Sequence, residues 1–109
     1  MQQPYDTVLC RSEHGCFAGF PHGLTYALTY QSISLHLTEE EVDQLRHHLD
    51  TLPEHDWFRL PSGRFTLLSI PRLGGCFYLE EAEVHEIIGL LGEAAVMIKV
   101  HQCLLHRLR

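Results

Sequence analysis

The sequence predicts an α+β fold, an antiparallel sheet built from two strand-strand-helix repeats plus an N-terminal hairpin, with the helices packed on one face. Three observations predict it. A nine-residue segment occurs twice at an offset of 42, two β-prone runs precede each copy, and each copy leads into an apolar stripe at helical spacing.

The recurring segment is Leu37-Thr38-Glu39-Glu40-Glu41-Val42-Asp43-Gln44-Leu45 and then Leu79-Glu80-Glu81-Ala82-Glu83-Val84-His85-Glu86-Ile87, with four identical positions and an aliphatic exchange at the last. Further along, Leu49 falls on Leu91. Two copies are too few for a solenoid. The 109 residues therefore read as a single domain, with pseudo-repeat units over about 23–52 and 63–92 and a C-terminal extension over 93–109.

The elements follow in order. Residues 7–10 and 16–19 are β-prone runs, with Ser12-Glu13-His14-Gly15 as turn material between them. Residues 24–29 and 32–37 make the strands of the first unit. Tyr26, Leu28 and Tyr30 fall on one side and Thr25, Ala27 and Thr29 on the other. Thr38 and Glu41 form a capping-box pattern at the start of a helix whose apolar stripe is Val42, Leu45, Leu49 and Leu52, and Pro53 ends it. Residues 53–62 read as a loop, and its Trp57 and Phe58 are expected to cap the edge of the core. In the second unit, strands over 64–70 and 75–79 are partly apolar on both sides. The second helix starts near Glu80 and buries Val84, Ile87, Ile88 and Leu91, although Gly89 and Gly92 weaken it by roughly 1 kcal/mol each. After the glycines, Val96, Ile98 and Val100 alternate as in a strand, while Ala94, Ile98, Leu105 and Leu108 fit a helix. A helix, kinked near the glycines, is the expectation for this stretch.

The composition bounds the function. Fourteen carboxylates against 8 Lys and Arg leave a formal charge of −6, which counts against nucleic acid because phosphate binding needs a basic surface. Protonating all nine histidines would carry that charge to +3, so solubility should change just below neutral pH. The N-terminus has neither the basic nor the apolar part of a signal peptide, and the longest apolar run, 94–98, is far short of a membrane span. The expectation is a cytoplasmic protein with reduced cysteines and no membrane contact.

Where Gly23-Leu24-Thr25-Tyr26-Ala27-Leu28 leads to Ile33-Ser34-Leu35-His36-Leu37 and Thr38-Glu39-Glu40-Glu41-Val42, and again at Cys76-Phe77-Tyr78-Leu79, the chain resembles a family of short uncharacterised bacterial proteins of unknown function. The resemblance covers most of the chain and rests on hydrophobic spacing. The family has no assigned activity, so the resemblance implies no catalytic residues. Some members carry Cys-x-x-Cys just ahead of the first repeat. Phe20-Pro21-His22-Gly23 stands there in this chain, which counts against a family-wide metal site.

Three groups could carry chemistry. Cys10, His14, Cys16 and His22 supply two thiols and two imidazoles, the donors a structural zinc takes, but without the tight paired spacing such sites use. Zinc through these four residues is the one cofactor the sequence suggests. Asp43 with His47, and Glu81 with His85, stand four apart on helix faces and read mainly as solvated pairs. Cys76 follows Gly74-Gly75, with His36 or His85 as a conceivable partner, and no nucleophile elbow or phosphate loop is present. No catalytic residue is assigned. The chain reads as a non-enzymatic interaction or structural module acting as a homodimer, covering the partly apolar outer face of its sheet, with a small metal-binding protein as the alternative.

Overall fold

In the computed structural model, the described residues are 7–20, 25–70 and 75–107, and they are arranged as four strands, a helix, three strands and a second helix. Strands β1 (Thr7–Arg11), β2 (Gly15–Gly19), β3 (Tyr26–Tyr30) and β4 (Ile33–Leu37) form one antiparallel meander in chain order. Their register sets side chains in rows. Phe17 pairs with Leu28 and Leu28 with Leu35; Gly19 pairs with Tyr26 and Tyr26 with Leu37. These rows make the inner face, where Phe17 and Tyr26 stack at 5.5 Å. The β3–β4 hairpin turns on two residues and holds Gln31 at φ 51, a left-handed conformation such tight turns require.

Helix α1 (Glu39–Asp50) begins as its sequence dictates. The Thr38 hydroxyl accepts from the Glu41 amide at 3.2 Å, and the Glu41 carboxylate accepts from the Thr38 amide at 2.9 Å. Val42 and Leu49 are buried, while Leu45 and Leu52 pack half-exposed beside them.

The expectation of one sheet is corrected to two. After Pro53, a short 3-10 turn (Glu54–Asp56) delivers β5 (Phe58–Leu60) to the edge of β6 (Gly63–Ile70), which pairs in turn with β7 (Gly75–Glu80). Residues 53–62 are therefore not a plain loop. They complete the second hairpin locally into a three-stranded meander that does not join the first sheet. Trp57 does cap the core edge, with the Arg64 guanidinium 4.6 Å above its ring, whereas Phe58 faces outward. Thr66, Leu68 and Leu79 face inward and are buried. The Thr66 hydroxyl donates to the Asp56 carbonyl at 2.9 Å, which makes its burial tolerable.

Helix α2 (Glu81–Arg107) is continuous through both glycines and through the whole of the ambiguous C-terminal stretch. Gly89 faces solvent, and the residues around it, Val84, Ile87, Leu90, Leu91, Ala94 and Ile98, are all buried in the core shared with both sheets. Packing of that stripe outweighs the propensity cost of two glycines. Its start echoes α1. The Glu83 carboxylate accepts from the Glu80 amide at 2.9 Å, the same bond that Glu41 makes to Thr38 42 residues earlier. Lys99 and Gln102 of α2 both reach Glu39 of α1, at 3.3 and 3.1 Å, and Gly92 lies near Arg46, so the helices run antiparallel. The stretch Glu81–Leu104 is long and apolar enough to cross a bilayer by length and composition alone, but its apolar inner face is already used by the core.

The close approach of α2 to β2 depends on Gly19. A Cβ there would stand 2.9 Å from Cε1 of His101, a buried ring on α2. Gly19→Ala should therefore lower stability by about 1–3 kcal/mol through overpacking, measured by chemical denaturation. A change within 0.3 kcal/mol would mean that α2 can shift away without loss.

Candidate functional site

The densest polar constellation forms where the β1–β2 turn meets α2. Glu86 lies at the border of α2's apolar stripe, so its carboxylate is drawn half under the turn, with its side chain 19% exposed. Four donors converge on it. Oε2 accepts from the Ser12 hydroxyl at 2.6 Å and the His14 backbone amide at 2.8 Å. Oε1 accepts from His14 Nδ1 at 2.8 Å and the Tyr30 hydroxyl at 2.9 Å. The adjacent turn is tied in by the Gln31 amide, which donates to the His14 carbonyl at 3.1 Å.

The electrostatics follow from this geometry. The Ser12 hydroxyl, then the His14 imidazole, hold the Glu86 carboxyl down to about 2. The same Glu86 bond raises His14 above the usual imidazole range, with Glu13 and Glu83 adding to it. Burial raises the Tyr30 phenol, and its bond to Glu86 raises it further.

Chemically, this arrangement is a clamp. Both Glu86 oxygens already hold two donors each, which leaves the carboxylate no capacity for a ligand. Ser12 gives its proton to Glu86 and not to the imidazole, so no serine–histidine relay is formed. His14 Nε2 faces a shallow cleft of about 370 Å³ lined by Glu13, Tyr30, Gln31, Glu83 and Glu86, with Glu13 at 3.9 Å.

Of the residues considered for metal, His14 belongs to this clamp and His22 lies outside the described residues. Cys10 pairs in register with Phe17 and points into the core, where its thiol contacts the Leu90 carbonyl at 3.7 Å and burial pushes it up to about 11. Cys16 pairs with Arg11, one residue out of step, and so lies on the opposite face of the hairpin. Among the described residues, no group of three or more His, Cys, Asp or Glu side chains is placed to hold a metal ion. Glu81 is engaged by Arg64 Nε at 3.1 Å, and His47 and His85 are exposed. Cys76 is exposed opposite Ser69, whereas His36 packs edge-on to Phe20 in the other sheet.

A second feature lies on the outer face of the three-stranded sheet. Phe58 stacks on Phe65 at 5.3 Å, and Phe65 meets Tyr78 at 4.7 Å. Leu60 and Leu67 flank the rings, and Phe58, Leu60, Leu67 and Tyr78 are each between 44% and 49% exposed. Alternation along residues 64–70 predicts this apolar outer face, whereas nothing in the spacing of Ser12, His14, Tyr30 and Glu86 marks them as one group. The sole trace of it is an acid set at the edge of an apolar helical stripe.

No family model, curated protein or solved structure matches this chain.

The clamp should be visible in the pH dependence of stability. Glu86 has a lowered value when folded, so its contribution is present above the ordinary carboxylate range and is lost as pH falls towards about 2. His14 has a raised value, so its contribution is present below the usual imidazole range and fades as pH rises through the raised value. The clamp is firmest between about pH 5 and 6. Glu86→Ala should cost about 1–3 kcal/mol there, because it strands the donors of Ser12, His14 and Tyr30. It should also flatten the acid side of a denaturation-versus-pH profile, and a profile coincident with that of the parent chain would show that the four bonds carry no net stability.

Proposed function

We propose that this chain is a non-enzymatic interaction module that works as a homodimer. The observation supporting this reading is the amount of apolar surface that no described element of the domain covers. The Phe58–Phe65–Tyr78 stack with Leu60 and Leu67 forms a contiguous patch, and a second set of exposed aliphatics, Val96, Val100 and Leu104, runs along the end of α2. Half-exposed aromatic rings each leave roughly 100 Å² open. The sheet patch alone thus reaches the few hundred Å² that mark association surfaces on small proteins. Closed two-fold pairing is the commonest way to cover such surface. The polar constellation argues in the same direction, since its carboxylate is saturated by structural bonds and its serine is not paired with its histidine.

Native mass spectrometry and sedimentation under reducing conditions test the proposal directly. A dimer of bare chains that dissociates on dilution is the expected outcome. A strictly monomeric protein at about 200 µM would overturn it, and a mass excess of one metal ion per chain would return attention to Cys10 and Cys16.

A further inference from the structure

We infer that the two-fold surface of this dimer is the outer stripe of α2, on which a second copy of the helix packs antiparallel. The inference rests on the homodimer reading above and assigns its interface. Along the last four turns of α2, Glu93, Val96, Val100, Cys103, Leu104 and Arg107 are exposed on one side. The exposed Lys99 and Gln102 turn towards Glu39 of α1, and His106 is exposed beside them. Steps of three and four from Glu93 to Arg107 keep the first six on one face of the helix, opposite the buried Ala94 and Ile98. Val96 is 64% exposed, Val100 44% and Leu104 54%. Around Val100, Cys103 and Leu104 the surface forms a shallow groove of about 360 Å³, edged by Lys99 and Arg107.

The pattern is complementary to itself. In an antiparallel pair centred on Val100, each Val96 meets the partner's Leu104, and Val100 lies against its own copy on the axis. The same register sets each Glu93 against the partner's Arg107, at both ends of a contact about 21 Å long. An acid at one end of an apolar stripe and a base at the other is the arrangement an isologous contact needs, because residue i meets j while j meets i. A parallel pair would place like charges together at each end. The sheet patch offers less. Its charged member in register with the ring stack is Glu80, opposite Phe65, and among the described residues the arginine lining the cleft beside it, Arg64, is already held by Glu54 and Glu81.

Charge exchange at the two ends tests the assignment, with sedimentation equilibrium as the readout. Glu93→Arg and Arg107→Glu should each weaken the dimer by roughly tenfold, since each makes two like-charge contacts. The double exchange should restore it to within about threefold of the original, a rescue that generic loss of stability would not produce. Val100→Glu, placing two carboxylates on the axis, should abolish the dimer while far-UV circular dichroism remains that of the folded chain. If the single exchanges and Val100→Glu leave the dissociation constant unchanged while Leu67→Glu breaks the dimer, the sheet face is the two-fold surface. The homodimer reading would then stand and this assignment fall. A monomeric parent chain would overturn both.

Discussion

The inner face of α2 is the constraint on which the rest of this structure depends. Neither meander buries its own apolar face, and the core joins Phe17, Leu28 and Leu35 of one sheet to Leu68 and Leu79 of the other through Val84, Leu91 and Ile98 of this single helix. Each sheet leaves a hydrophobic face that must be covered before its burial contributes to stability. The helix that covers it therefore has to be placed accurately. Several features provide that placement: Gly19 admits the His101 ring, Glu39 bonds Lys99 and Gln102 near the helix end, and Glu86 anchors the hairpin turn near its start.

The two hairpin–helix units show how similar local chemistry can serve different ends. Leu37 and Leu79, Val42 and Val84, and Leu49 and Leu91, each pair 42 residues apart, are all buried. Both helices also start with a glutamate three residues on that accepts from the cap amide. The first helix stops at Asp50, where Thr51 and then Pro53 close it, and it stays a short cover. The second has no such stop and continues to Arg107, so its last turns carry a face that the domain itself does not need. In the first unit the outer side of β3 carries Ala27 and Thr29, while in the second the outer side of β6 carries Phe65 and Leu67. The apolar surplus thus gathers in the second half of the chain.

The polar groups follow the usual accounting for buried charge. Glu86 is tolerated beneath a turn because every lone pair is met, and Arg64 is held between Glu54, Glu81 and the Trp57 ring. These are positioning devices. One secures the first hairpin to α2, and the other secures the start of α2 to the second sheet.

Much of this was legible in the order of residues. The α+β class, the capping box at Thr38, the inward face of Tyr26, Leu28 and Tyr30, and the apolar outer side of residues 64–70 all follow from local periodicity, which short-range sterics and hydrogen bonding enforce. Helix or strand after Ala94 could not be settled by period, because both fit; burial of Ala94 and Ile98 against the sheet decided it. The division into two sheets, the recruitment of Phe58–Leu60 as a strand, and the separation of Cys10 from Cys16 onto opposite faces are matters of register, where one residue's shift reverses every side chain. The meeting of Ser12, His14 and Tyr30 at Glu86 joins residues up to 74 apart. Only the packed chain brings them together, because no local preference along the sequence links residues that far apart.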